Sequence, residues 1–147
     1  MQKYVLDRNG NVVATFASDY NDKHTKTLQA GASTYDFTIS KQDEAALFLE
    51  TGNYVNFVDD VGKPWSFSIS SYTETHNEKT VYCEDVGIEL INKNVNAYTA
   101  GAAYSFAFYF EMITKNTPWT IGINEISDLS RKLEWTSNDT GLSRLLS

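Results

Sequence analysis

Two histidines and one cysteine are the residues in this chain that could support nucleophilic or metal chemistry. His76 stands near Cys83, and a base beside a thiol raises the reactive thiolate fraction. Val81 and Cys83, however, alternate with polar neighbours across Thr80 to Glu84, which makes Cys83 a packed strand residue. His24 and His76 each sit in polar, turn-like stretches, with no HExxH and no cysteine pair, so no metal site is expected.

Asp7-Arg8-Asn9-Gly10-Asn11 has the flavour of a calcium loop, but its glycine comes too early and Ser18 stands where a bidentate Glu is required. Asp59-Asp60 and Glu84-Asp85 are pairs of carboxylates fit for acid–base work. Neighbours on a strand point to opposite faces, though, and those in a turn are solvated. Nothing resembles a glycine-rich phosphate cradle. Catalytic, cofactor and metal-ligating residues are therefore expected to be none, and the chain itself is not expected to be an enzyme. Trp65 and Trp119, with Tyr72 beside them, are the candidate carbohydrate contacts. Strand aromatics more commonly pack a core.

The elements that would position these residues are mostly strands. Tyr4 to Leu6 and Val12 to Phe16 flank Asn9-Gly10, a hairpin signal of the type I′ turn. Ser18 to Lys26 is polar and reads as a loop, or an edge strand from about Thr25. Thr34 to Ser40 alternates cleanly, with Tyr35, Phe37 and Ile39 on one face. Ser40-Lys41-Gln42-Asp43 resembles a capping box before a short helix burying Ala45, Leu47, Phe48 and Leu49. Strands follow at Tyr54 to Val58, from Trp65 to Ile69, and over Thr80 to Glu84, with a turn at Asp59 to Pro64. Such spacing predicts a mainly β, α+β chain whose first domain is an antiparallel β-barrel or sandwich with short helices.

After Asp85 the pattern changes. A short helix is expected from Val86, then a polar loop over Asn92 to Thr99 that marks a boundary near Asn96. The expected organisation is a barrel domain over 1–96 and the start of a small α+β domain over 97–147. Within the latter, Ala102 to Lys115 reads as a helix with aromatics on most faces, which implies burial all round. Strands are expected at Trp119 to Ile123 and Lys132 to Thr136. The last residues place Leu142, Leu145 and Leu146 on one helical face with no stop signal, which predicts a helix belonging to a longer polypeptide.

Composition narrows the partners. Twelve basic against nineteen acidic residues give a charge of −7 with no basic cluster, which disfavours stable binding to nucleic acid. No apolar run approaches the roughly 20 residues that span a bilayer, so no membrane insertion is expected. A single cysteine excludes an internal disulfide and fits a reducing cytoplasm.

Three stretches carry a family resemblance: Tyr4 to Val12, Tyr82 to Asn92, and Asn116 to Gly122 followed by Arg131-Lys132-Leu133-Glu134-Trp135. In order and flavour they resemble the N-terminal region of the prophage endopeptidase tail, or tail-associated lysin, family of phages of Gram-positive hosts. That family is related to baseplate hub proteins. The resemblance implies a hub-like barrel lining the tail tube with a second domain beside it. It also implies a structural role in the tail tip, assembled in the bacterial host cytoplasm and residing in the virion tail. Full-length members form homotrimers that join other tail proteins, and enzymatic members carry a peptidoglycan-cleaving module downstream. A wall-carbohydrate-binding module of a tail fibre or receptor-binding protein is the alternative that Trp65 and Trp119 keep open.

Overall fold

A computed structural model of the chain describes residues 1–27 and 32–146. The chain forms two compact units, Met1–Val86 and Gly87–Ser147. The division precedes the composition shift near Asn96, because Asn94–Val95 already pairs with Asp139–Thr140 and Val95 belongs to the second core.

The first unit is one antiparallel sheet of β1 (Lys3–Leu6), β2 (Val12–Phe16), β3 (Tyr20–Thr27), β4 (Ala32–Ser40), β5 (Tyr54–Val58), β6 (Pro64–Glu74) and β7 (Glu78–Asp85). Its order is β2-β1-β5-β6-β7-β4-β3. Alternation sends Val5, Val55, Phe57, Phe67, Ile69, Val81, Cys83 and the β4 residues Tyr35, Phe37 and Ile39 to one buried face. That face curls on itself. Five strand steps separate β2 from β4, about 24 Å in a flat sheet. Yet the Phe16 and Phe37 rings stack with centroids 5.3 Å apart.

The mainly β, α+β class is as expected, and of the barrel and the sandwich the closed barrel is not formed. β2 and β3 end the ladder order without pairing to each other. A 3-10 helix, Glu44–Phe48, packs against β2 instead, and Ser18 hydrogen-bonds Asp43 at its start. An edge covered in this way is less open to stray pairing.

Local chemistry corrects several sequence expectations. Asn9 does not adopt positive φ; in the first hairpin Gly10 does, at 84°, and its N–H donates to the Asp7 carbonyl. The loop is thus a type I turn with a glycine bulge, not type I′. Asp43, and not Ser40, caps the following helix, its carboxylate accepting from Ala45 N–H. The tighter 3-10 winding buries Ala45, Ala46 and Leu49 but leaves Leu47 73% exposed. The polar run before Thr25 is strand, not loop, since an edge strand needs only one neighbour, here β4.

The second unit is an interrupted antiparallel ribbon. Asn94–Val95 (β8), Tyr98–Thr99 (β9) and Tyr104–Ser105 (β10) pair with Asp139–Thr140 (β13), Glu134–Trp135 (β12) and Ser130–Arg131 (β11) respectively. Helix α1, Phe106–Thr114, starts later than the aromatic run because Ser105 is extended in the ladder and accepts from Phe108 N–H as N-cap. All-round burial is not observed: Tyr109 and Ile113 are buried, whereas Phe108 is exposed. The expected strand over Trp119 to Ile123 is irregular, and Ile123 is 89% exposed with no ladder to hold it. Helix α2, Gly141–Leu146, forms where the leucine spacing places it, and Thr140 Oγ1 accepts from Ser143 N–H at its start.

Candidate functional site

The residues that could do chemistry occupy structural posts. Cys83 lies fully buried on β7 among the core residues of the first unit, and burial, with Asp36 nearby, pushes its thiol well above the ordinary range. A thiol held neutral is a poor nucleophile. His76 sits in the turn between β6 and β7, and five strand residues, about 17 Å, separate the start of β7 from Cys83. No group of three or more His, Cys, Asp or Glu among the described residues is placed to hold a metal.

Asp7 and Asp59 organise turns. Asp7 Oδ1 accepts from Asn9 and Asn11 N–H, and Asp59 Oδ1 accepts from Val61 and Lys63 N–H. In both loops the glycine three residues on has positive φ and donates to the aspartate carbonyl. Asp7-Arg8-Asn9-Gly10-Asn11 and Asp59-Asp60-Val61-Gly62-Lys63 are therefore the same turn built twice. The side-chain amide of Asn11 holds the Asp7 carboxyl below its usual range, and the Trp65 indole N–H does the same at Asp59. Asp85, at the end of β7, accepts from Ser33 Oγ.

Two inward lysines escaped the sequence reading. Lys3 Nζ lies 2.7 Å from Asp19, within about 6 Å of the Phe16, Tyr35 and Phe57 ring centroids. Tyr35 Oη lies 3.4 Å from Asp19 and 3.3 Å from Asp22, and burial, then these two carboxylates, drive the phenol pKa sharply upward. Lys79 Nζ donates to the Ala46 carbonyl, lies 3.3 Å from Glu74 and sits 3.9 Å from the Tyr72 ring centroid, fastening the 3-10 helix to β7. The signal for both was available: Lys3-x-Val5 and Lys79-x-Val81-x-Cys83 put each lysine in phase with core residues.

The two candidate carbohydrate tryptophans belong to different units. Trp65 is half-buried against the first core, its N–H donated to Asp59 Oδ2. Lys26 and Lys63 Nζ lie 4.7 and 4.2 Å from its ring centroid, so the indole is already engaged by its own chain. Trp119 is half-buried after the end of α1, its backbone N–H donated to Thr117 Oγ1. Tyr72 carries the Lys79 ammonium.

The surfaces left over are apolar. On the first unit Val12, Leu47, Val58 and Val61 are more than half exposed. In the second, a cavity of about 280 Å³ opens between α1 and the ribbon, walled by Phe106, Phe110, Ile126, Leu129 and Leu133. Tyr109 closes one side, its hydroxyl donating to Arg131 C=O and accepting from Leu133 N–H. Surfaces of this kind suit packing against other protein more than catalysis.

No family model and no curated protein matches the chain. Solved structures do. Prophage tail protein gp18 from Listeria monocytogenes EGD-e superposes with a TM-score of 0.73 at 13% identity, covering 99% of this chain and 44% of that one. A tail protein from Neisseria meningitidis MC58 superposes with a TM-score of 0.55 at 17% identity, covering 97% of this chain and 43% of that one. The chain has the fold of phage tail proteins. It spans less than half the length of either tail protein. In this tail-protein fold the buried lysines and the repeated turn serve the scaffold.

Proposed function

We propose that the chain is a structural component of a phage tail tip or baseplate hub, acting through subunit assembly around the tail channel. The observation that carries this reading is the tail-protein fold extending over 99% of the chain. The exposed Val12, Leu47, Val58 and Val61 support it as material for packing between subunits. In the full-length protein the subunits assemble as a homotrimer with other tail proteins, in the virion tail of a phage of a Gram-positive host, as in the prophage endopeptidase tail family. The chain itself catalyses no reaction.

Antibodies raised against this chain, applied to negatively stained virions, should decorate the distal end of the tail. Labelling elsewhere, or absence of the protein from purified virions, would refute the assignment. In the full-length protein, Leu47→Asp with Val61→Asp should reduce the trimer to monomer by light scattering, with the sheet's circular dichroism unchanged. A trimer that survives both charges sinks the proposed packing surface. Release of soluble fragments from purified cell wall by the chain would overturn the non-enzymatic part.

A further inference from the structure

His24 reaches across the mouth of the curled sheet. It lies on edge strand β3 opposite Tyr35 of β4, which points it to the buried face. Three strand steps separate β3 from β6, about 14 Å in a flat sheet. Curling nevertheless brings the imidazole 4.4 Å from Trp65 and 5.2 Å from Phe67, both on β6. Tyr35 and Phe57 complete a cage at 6.2 and 6.3 Å, and all four rings stand nearly perpendicular to the imidazole. Its Nε2 is buried and has no hydrogen-bond partner among the described residues.

We propose that His24 is a pH-sensitive latch: neutral, it ties edge strand β3 to the aromatic face of β6; protonated, it leaves the ring cage and frees β3. The charged groups that act on His24 are Lys26 on β3 itself, Asp59 and Lys63 from the β5–β6 turn, and Asp85 on β7, while Asp22 of β3 lies at the Tyr35 hydroxyl. From β4 comes the Tyr35 phenol, and β5 and β6 present uncharged rings. A proton on His24 places a charge among four rings at a buried ring nitrogen, where water cannot solvate it. Burial first, and Lys26 second, oppose it; Asp85 and Asp59 oppose them only in part, and the group is depressed below its ordinary value of 6.5. β3 is easily released because it has one ladder neighbour, β4, and its ladder is broken by a register shift between Tyr20 and Lys23.

The sign follows from proton binding. Below pH 6.5 the undocked strand binds a proton that the docked strand rejects, so docking is full above 6.5 and weakens as pH falls. The opening equilibrium should rise by up to about tenfold per pH unit until the caged imidazole itself titrates. Imidazole resonances of the whole chain, assigned with His76→Gln, should show His24 titrating below 6.5. Amide protection factors, corrected for intrinsic exchange, should fall between pH 7.5 and 5.0 on β3 while β6 and β7 keep theirs. His24→Phe should remove this loss; His24→Gln serves the same purpose if the phenylalanine variant does not fold. His24 titrating at or above 6.5, unchanged β3 protection at pH 5.0, or an equal loss in the uncharged variant would each overturn the latch.

Discussion

The Lys3 ammonium and the Asp19 carboxylate form a 2.7 Å ion pair in which both side chains are only 3% exposed. Lys3 comes from β1, and Asp19 from the short link between β2 and β3, the two ends of the sheet order. The pair thus pins the link between the sheet's open edges onto its buried face. Removing one partner leaves the other charged and buried, so Lys3→Ala and Asp19→Ala should each cost about 3–5 kcal/mol. The double replacement Lys3→Met with Asp19→Leu should recover most of that loss. Urea unfolding of the three variants measures it, and additive losses in the double variant would mean the pair is not coupled.

The repeated turn makes a matched prediction. Gly10 and Gly62 have φ of 84° and 82°, and a Cβ at either would meet open space. Gly10→Ala and Gly62→Ala should therefore each lose about 1–2 kcal/mol from backbone strain alone. Asn at either position should lose less, because it tolerates the left-handed region. At Gly52, where φ is 91°, the added carbon would meet only the exposed Arg8 guanidinium, which can move aside, so the penalty should be similar. Thermal melts of the alanine and asparagine variants would settle the ranking.

Cys83 reports on the integrity of the first unit. Its thiol is fully buried and held protonated by desolvation, so a thiol reagent at pH 8 should modify the native chain only through opening of that unit. Labelling should accelerate with urea in step with the loss of β-sheet circular dichroism. Fast, stoichiometric labelling of the folded chain would contradict the burial.

In the second unit Tyr109 is the corresponding anchor. Its hydroxyl bridges Arg131 C=O at 2.8 Å and Leu133 N–H at 3.1 Å. Tyr109→Phe leaves both backbone groups without that partner and should cost about 1–3 kcal/mol. Hydrogen exchange should rise in the ribbon at Ser130–Arg131 and Glu134–Trp135 and stay unchanged in β6 and β7. Equal loosening of both units would show that they unfold as one.

The seven-stranded sheet was legible where residues alternate. Tyr35, Phe37 and Ile39, or Val81 and Cys83, announce an inner face because burial follows the period-two geometry of a strand. β3 was obscured, since Asn21-Asp22-Lys23-His24 has edge-strand polarity and its pairing comes from β4. The second unit was hardest to read. Its ladders are two residues long, too short for periodicity, and distant residues such as Tyr98 and Trp135 register them.

By itself the sequence determined which apolar strand residues face inward, where the first hairpin turns and where the terminal leucines wind into a helix, because these follow from nearest-neighbour geometry and backbone sterics. Only the tertiary structure decided that the sheet stays open and that Lys3 and Lys79 are buried with partners. It also decided that His24 is caged by rings from strands far away in the ladder. Those outcomes depend on curling, which brings strands distant in both sequence and sheet order within contact, and no local pattern encodes that distance.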